Sequence, residues 1–146
     1  MRFWDSSALL PLLSEEAFSS VAANPLRDDG GVVAWWGTWL ECSAAVSRLR
    51  RENKPDESDE EEARAALDRM ADNWVERRPN DDTRLLAMLI SRYHPLKAAD
   101  ALHMAAALRW CEGGTRSTGF VCLDSRLRRA ARSGGFDVLP GLPDEP

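Results

Sequence analysis

The sequence predicts an α/β fold built on a mostly parallel sheet, and three observations carry that prediction. Short apolar runs, Met1 to Trp4, Val32 to Ala34, Gly119 to Leu123 and Phe136 to Leu139, are separated by longer stretches of helical period. That is the pattern of strands joined by helical crossovers. The first and third runs are each followed by an aspartate, Asp5 and Asp124. Glycine and proline punctuation falls at the joins, as at Gly30-Gly31 and Gly134-Gly135. Parallel strands buried on both faces read as unbroken apolar runs, and they deliver whatever follows them to one rim of the sheet.

Taken in order, Met1 to Asp5 is a strand, and Ser6-Ser7 caps a helix through Leu13 that accepts Pro11 only near its start. A second helix is expected over Glu15 to Ala23. Asp28-Asp29-Gly30-Gly31 is a turn that leads into the Val32 strand. Thr38 to Arg51 is helical, with Leu40, Ala44, Ala45 and Leu49 as its apolar side and Glu41 bordering it. Asn53-Lys54-Pro55-Asp56 ends that helix, and Asp59 to Trp74 forms the next, with Ala63, Ala66, Leu67 and Met70 facing inward. Pro79-Asn80-Asp81 opens a helix that runs to Tyr93. His94-Pro95 stops it, because the residue before a proline is pushed out of the helical region. Lys97 to Trp110 is an Ala-rich helix ended by Gly113-Gly114, and Ser125 to Arg132 is a short helix before the last strand. One domain over residues 1–139 is expected, with Pro140 to Pro146 as a loose tail.

No stretch is long and apolar enough to cross a bilayer, and no basic segment precedes an apolar one, so a cytoplasmic protein without a membrane partner is expected. Cys42, Cys111 and Cys122 are odd in number, lack metal-ligand spacing and sit in apolar contexts, which predicts small buried hydrophobes rather than a zinc or redox site. The net charge of -5 is unevenly spread. Asp56, Glu57, Asp59, Glu60, Glu61 and Glu62 hold six of the 24 acids in one run, which suits the first turn of a helix. From Arg84 to Arg132 there are nine basic residues against three acidic ones, and two of those three are Asp100 and Asp124. Isolated carboxylates in a basic segment suit an anionic substrate drawn to a metal.

Four acids stand out: Asp5 and Asp124 at strand ends, Glu41 in Trp39-Leu40-Glu41-Cys42, and Asp100 in Ala98-Ala99-Asp100-Ala101-Leu102. Carboxylates in apolar surroundings are costly unless something neutralises them. Carboxylate oxygens with no His or Cys nearby select hard cations that retain several waters, which favours Mg²⁺ or Mn²⁺ over zinc. Such an ion activates a bound water, so no nucleophilic side chain is required. Taken singly, Asp5 and Asp124 also fit as helix N-caps and Asp100 as a first-turn acid.

Phe3-Trp4-Asp5-Ser6-Ser7-Ala8-Leu9, Glu41-Cys42-Ser43-Ala44-Ala45, Ala99-Asp100-Ala101-Leu102-His103-Met104, and Leu123-Asp124-Ser125-Arg126-Leu127-Arg128-Arg129 together resemble the PIN-domain family. Within it the likeness is to VapC-type ribonuclease toxins of bacterial toxin–antitoxin pairs, and it spans nearly the whole chain. The resemblance implies a three-layer α/β/α domain, an Mg²⁺- or Mn²⁺-dependent endoribonuclease, a cognate antitoxin and a homodimer. It implies Asp5 and Asp100 as the firmest metal ligands and catalytic acids, Glu41 and Asp124 as the remaining ones, and Ser7 as a residue supporting Asp5. Family members often carry a threonine near the fourth acid, where this chain has Cys122-Leu123.

Other residues keep two readings. Arg126, Arg128, Arg129 and Arg132 follow Asp124 with no acid among them, so they fit RNA phosphates or a solvated face. Trp35, Trp36 and Trp39 fit core or dimer packing ahead of base stacking. His103, one turn after Asp100, fits local packing ahead of general-base catalysis. Rival functions are an RNA-processing nuclease without an antitoxin, a degenerate module that binds without cleaving, and an Mg²⁺-binding phosphoacceptor domain. The last needs a lysine near the final strand, and the chain has only Lys54 and Lys97.

Overall fold

The alternation of side chains along the strands sorts the molecule into layers. The computed structural model describes residues 1–14, 20–53 and 56–143. Its strands are β1 (Arg2–Trp4), β2 (Val32–Trp35), β3 (Val75–Arg77), β4 (Gly119–Val121) and β5 (Asp137–Leu139), in the spatial order β3-β2-β1-β4-β5. Every pairing is parallel; Phe3 faces Val33 on one side and Phe120 on the other. Phe3, Val33, Trp35, Phe120 and Val138 point to one face and pack with α5 (Asp81–Tyr93), α6 (Ala98–Trp110) and α7 (Ser125–Ser133). Trp4, Val32, Ala34 and Val121 point to the other, against α1 (Ser6–Leu9), α3 (Thr38–Asn53) and α4 (Glu57–Ala71). The fold is therefore an α/β/α sandwich, as the sequence predicts, with a sheet that is wholly parallel.

Chain order fixes where a site forms. From β1 the chain steps outward to β2 and β3, then returns to the other side of β1 for β4 and β5. The reversal lies between β1 and β4, and crevices open at such points, outside the carboxyl ends of the strands. Asp5 follows β1 and Asp124 follows β4.

Several elements differ from expectation. The expected helix over Glu15 to Ala23 lies partly at residues 15–19, outside the described residues; α2 instead covers Ala23–Asp28. Pro25 in its first turn replaces a backbone N–H that has no helical partner there, so Asn24-Pro25 begins a helix rather than ending one. The first helix tightens into a 3₁₀ turn at Leu10–Leu13, where Pro11 cannot donate to the ladder. α4 stops at Ala71, and β3 follows as an edge strand paired only with β2. Val75-Glu76-Arg77 is too short and too polar to announce itself. On α3 the apolar side is displaced. Thr38, Cys42, Ala45 and Val46 are buried, whereas Leu40 is 72% and Leu49 43% exposed. The acidic run opens α4 as expected: Asp56 caps it, and Glu60 pairs with Arg50 and Arg64.

Candidate active site

Asp5 emerges from β1 with its carboxylate turned back onto its own chain. Oδ2 accepts from the Ser7 backbone N–H at 3.0 Å and from the Ser7 hydroxyl at 2.5 Å, which caps α1. The same Ser7 Oγ accepts from the backbone N–H groups of Leu123 at 2.9 Å and Asp124 at 3.3 Å. One hydroxyl thus ties the end of β1 to the end of β4 across the switch point. Cys122 stands beside it, its thiol 3.6 Å from Asp5 Oδ2. Asp5 is 3% exposed, so its carboxylate is nearly desolvated.

Glu41 arrives from the other side. Gly37 lets the chain turn from β2 into α3, since a Cβ there would lie 2.8 Å from the Trp35 ring nitrogen. In the first turn of α3, Glu41 Oε2 accepts from Ser6 Oγ at 3.1 Å, and Oε1 lies 2.9 Å from His103 Nε2. His103 is completely buried, and its other nitrogen, Nδ1, is 3.5 Å from Asp5 Oδ1 without a hydrogen bond. Burial works against protonation of this ring. The Glu41 hydrogen bond and the charges of Asp5, Glu41 and Asp100 outweigh it and raise its pKa. Burial likewise pushes the Glu41 carboxyl up, yet the hydrogen bond and charge of His103 hold it below its ordinary range.

Two sequence expectations change here. The acidic cluster does contain a histidine and a cysteine, and its charges raise the His103 pKa against the effect of burial. His103 packs, but it does so by bridging two acids of the cluster, Asp5 and Glu41. The ring is completely buried, with Nε2 held by Glu41 and Nδ1 beside Asp5, which favours a positioning reading over a general base. The signal for it was present, an i+3 spacing from Asp100 on the same helix face. Ser6, whose hydroxyl holds Glu41, was missed; serine after a strand reads as a cap and nothing more.

Asp100 lies in the first turn of α6, half-buried. Its carboxyl is raised by burial first, then by the charges of Asp5 and Asp124, with Glu41 adding to them. Among the described residues it makes no hydrogen bond or ion pair of its own. Asp124 is exposed and caps α7, with Oδ1 accepting from Arg126 N–H at 3.0 Å and Leu127 N–H at 2.9 Å. The N-cap reading thus holds for Asp5 and Asp124, each of which also faces the shared acidic space. The four acids are brought together, though not equally. Among the described residues, the group close enough to share one ion is Asp5, Glu41 and His103, whose ligand atoms lie within 4.8 Å of one another. Asp100 and Asp124 stand outside that tight group and reach it through their fields.

Two cysteine thiols border the cluster. Burial and the charges of Asp5 and Glu41 push Cys42 up to about 12, and burial with Asp5 raises Cys122 as well. Neither is a thiolate near neutral pH, which removes both as nucleophiles.

Beyond the acids, the arginines of α7 divide. Arg126 and Arg129 are exposed and Arg132 is half-buried. Arg128 contradicts the expectation of RNA contact. It is fully buried, and its guanidinium donates to the carbonyls of Cys122 at 2.5 Å, Leu139 at 3.2 Å and Pro140 at 2.6 Å. Three converging carbonyls drew it inward, an arrangement invisible in a run of arginines. Among the tryptophans, Trp35 is core, Trp36 is 53% exposed, and Trp39 meets Trp74 edge to face.

The fold and site define the chain as a parallel α/β sandwich with carboxylates gathered at its switch point. In sequence, the chain is similar to two proteins of Mycobacterium tuberculosis. Ribonuclease VapC45 of strain CDC 1551 / Oshkosh and Ribonuclease VapC49 of strain ATCC 25618 / H37Rv are each 28% identical over 145 residues, covering 97% of this chain and 96% of the relative. The resemblance to VapC-type ribonucleases read from the four acidic motifs is borne out. No protein-family model matches the chain.

Proposed function

We propose that this protein is a metal-dependent endoribonuclease acting as a toxin, using Mg²⁺ or Mn²⁺ on RNA phosphodiesters in the cytoplasm and restrained by a small cognate antitoxin. The observation that carries the reading is the environment of Asp100: a half-buried carboxyl without a partner among the described residues, raised by burial and by Asp5, Asp124 and Glu41. Such a group is destabilised until positive charge arrives. The likeness to two ribonucleases over almost the full chain supports RNA as substrate.

The donor set fits a hard cation. Asp5 keeps Oδ1 free of hydrogen bonds while Ser7 holds Oδ2. Asp124 commits only Oδ1 to its helix cap. Asp100 is available whole, and Glu41 would exchange its imidazole or serine partner. Asp5, Asp100, Asp124 and Glu41 would hold an Mg²⁺ or Mn²⁺, which would supply charge neutralisation at the phosphate and a water of lowered pKa. His103, completely buried between Glu41 and Asp5, would hold the Glu41 carboxylate through its Nε2 contact, and the acids around it favour its protonated form. Ser7 fixes the Asp5 rotamer and the β4 end with one oxygen. Arg126 and Arg129 border Asp124 as cations for the flanking RNA phosphates.

The test is cleavage of single-stranded RNA by purified protein in Mg²⁺ or Mn²⁺ and in EDTA, paired with induction in cells with and without the adjacent reading frame. Cleavage in metal, none in EDTA, and growth arrest relieved by the neighbour are expected. Undiminished cleavage in EDTA would falsify the metal-dependent reading.

A further inference from the structure

The carboxyl ends of the parallel strands form one rim, which can be followed in sheet order. β3 ends in Arg77 and is followed by Arg78; β2 is followed by Trp36 and Gly37. Asp5 then follows β1, and Asp124 follows β4 and opens the helix that carries Arg126 and Arg129. Cations thus lie at both ends of the rim with the acids between them, over three strand spacings, about 14 Å.

Trp36 sits on this rim between the acids and Arg78. Its backbone N–H donates to the Arg77 carbonyl at 2.9 Å, which carries the β2–β3 ladder one step past Trp35. Its side chain is 53% exposed, although tryptophan is on average a largely buried residue. Gly37 comes next, and a Cβ built there would lie 3.7 Å from Glu41 Oε1, so the chain beside Trp36 borders the acidic cluster. Trp39, also exposed in part, is braced edge-on by Trp74 instead. The Arg78 side chain is exposed, and its 4.0 Å contact with Glu76 costs little to give up. An exposed indole beside a charged centre, with a cation beyond it, matches how single strands are held, base on aromatic face and phosphate on cation. A base inside a duplex has both faces covered by its stacked neighbours, so only an unpaired one can lie on such a ring.

We infer that Trp36 is a stacking platform for one unpaired base of the substrate, with Arg78 holding a phosphate beyond it, so that the RNA is single-stranded on the β2–β3 side of the acids. The inference rests on the proposed reading of RNA as substrate and names the form of RNA that the site takes. Stacking strength then sets base preference at this position, which favours purines for their larger ring face.

The experiment is fluorescence anisotropy with the full-length Asp100→Asn protein as parent and a labelled single-stranded RNA, its duplex, and copies of the single strand with one abasic position moved along it. Trp36→Ala should weaken binding of the single strand by about tenfold or more without changing the salt slope, and Trp36→Phe should recover most of the loss. Arg78→Ala should lower the slope by about one unit. Tyr93→Ala, which removes an exposed aromatic at the far end of α5, should change neither. One abasic position should cost the parent as much as Trp36→Ala does and cost the Trp36→Ala protein nothing more, a coupling that a merely structural tryptophan would not produce. A parent that binds no RNA removes the substrate reading and this inference with it. A parent that binds while Trp36→Ala binds equally well overturns the inference alone. So does a Trp36→Ala protein whose mass by light scattering changes while its RNA affinity does not, which would assign the ring to a protein interface.

Discussion

Arg128 shows how a single residue can change its meaning on folding. In the sequence it is one of four arginines after Asp124; in the structure it is a buried staple holding three carbonyls at the carboxyl ends of β4 and β5. Arg128→Met keeps the length and removes every donor, leaving those carbonyls unsatisfied in a dry setting. The expected loss is about 2–4 kcal/mol of stability, read by urea unfolding. Arg126→Met, on the exposed side of the same helix, should change stability by less than about 0.5 kcal/mol. Equal unfolding midpoints for the two variants would show that the staple is not structural. The acids were legible because each closes or borders an apolar run, where a carboxylate is conspicuous. Ser6 was not, and of His103 only its place one turn after Asp100 was, since a hydroxyl or an imidazole shows its partner only when the fold brings a distant acid to it.

At the scale of elements, α7 has a buried structural side and an exposed side proposed to meet RNA. Its inward side carries Leu127, Arg128, Ala130 and Ala131, all buried, and its outward side carries Arg126 and Arg129. Replacing Arg126 and Arg129 together by alanine should weaken RNA binding and flatten its salt dependence by about one unit of slope per lost phosphate contact. Cleavage at saturating RNA should fall far less. Unchanged affinity and slope, measured by fluorescence anisotropy with the Asp100→Asn protein as the parent, would place the RNA track elsewhere. Helix and strand positions were readable where period and punctuation agreed, as at Asn80, which caps α5, and at His94-Pro95, which ends it. They failed where two patterns overlapped. On α3 both Leu40-Ala44-Ala45-Leu49 and Thr38-Cys42-Ala45-Val46 have helical spacing, and packing against α1 and α4 chose the less apolar one. β3 was lost because a three-residue edge strand needs only one partner and hardly any apolar side chains.

For the molecule as a whole, topology concentrates negative charge that folding must tolerate. Paired carboxylates a few ångströms apart repel by about 1 kcal/mol even in water, and by more where the medium is less polar. Because the Asp100 carboxyl is raised in the folded state, its penalty is absent below the unfolded value, 3.8, and complete once pH rises above the folded one. Metal-free protein should therefore gain stability from Asp100→Asn at neutral pH, by roughly 2–4 °C in melting temperature for each kcal/mol relieved. The gain should vanish below about pH 4, where the wild-type group is protonated in both states. Millimolar Mn²⁺ should raise the wild-type melting temperature by mass action and raise that of the variant less. Identical melting curves in EDTA and Mn²⁺ for the wild type would mean that the cluster holds no ion.

The central claim is that these carboxylates act on RNA through a shared cation. Its most direct measurement is the single-turnover rate of RNA cleavage in Mn²⁺ by Asp5→Asn and Asp100→Asn, each confirmed as folded by circular dichroism. Each substitution keeps the shape of the side chain and removes the charge, so a fall of about 100-fold or more is predicted. Cleavage by either folded variant at the wild-type rate would contradict the account.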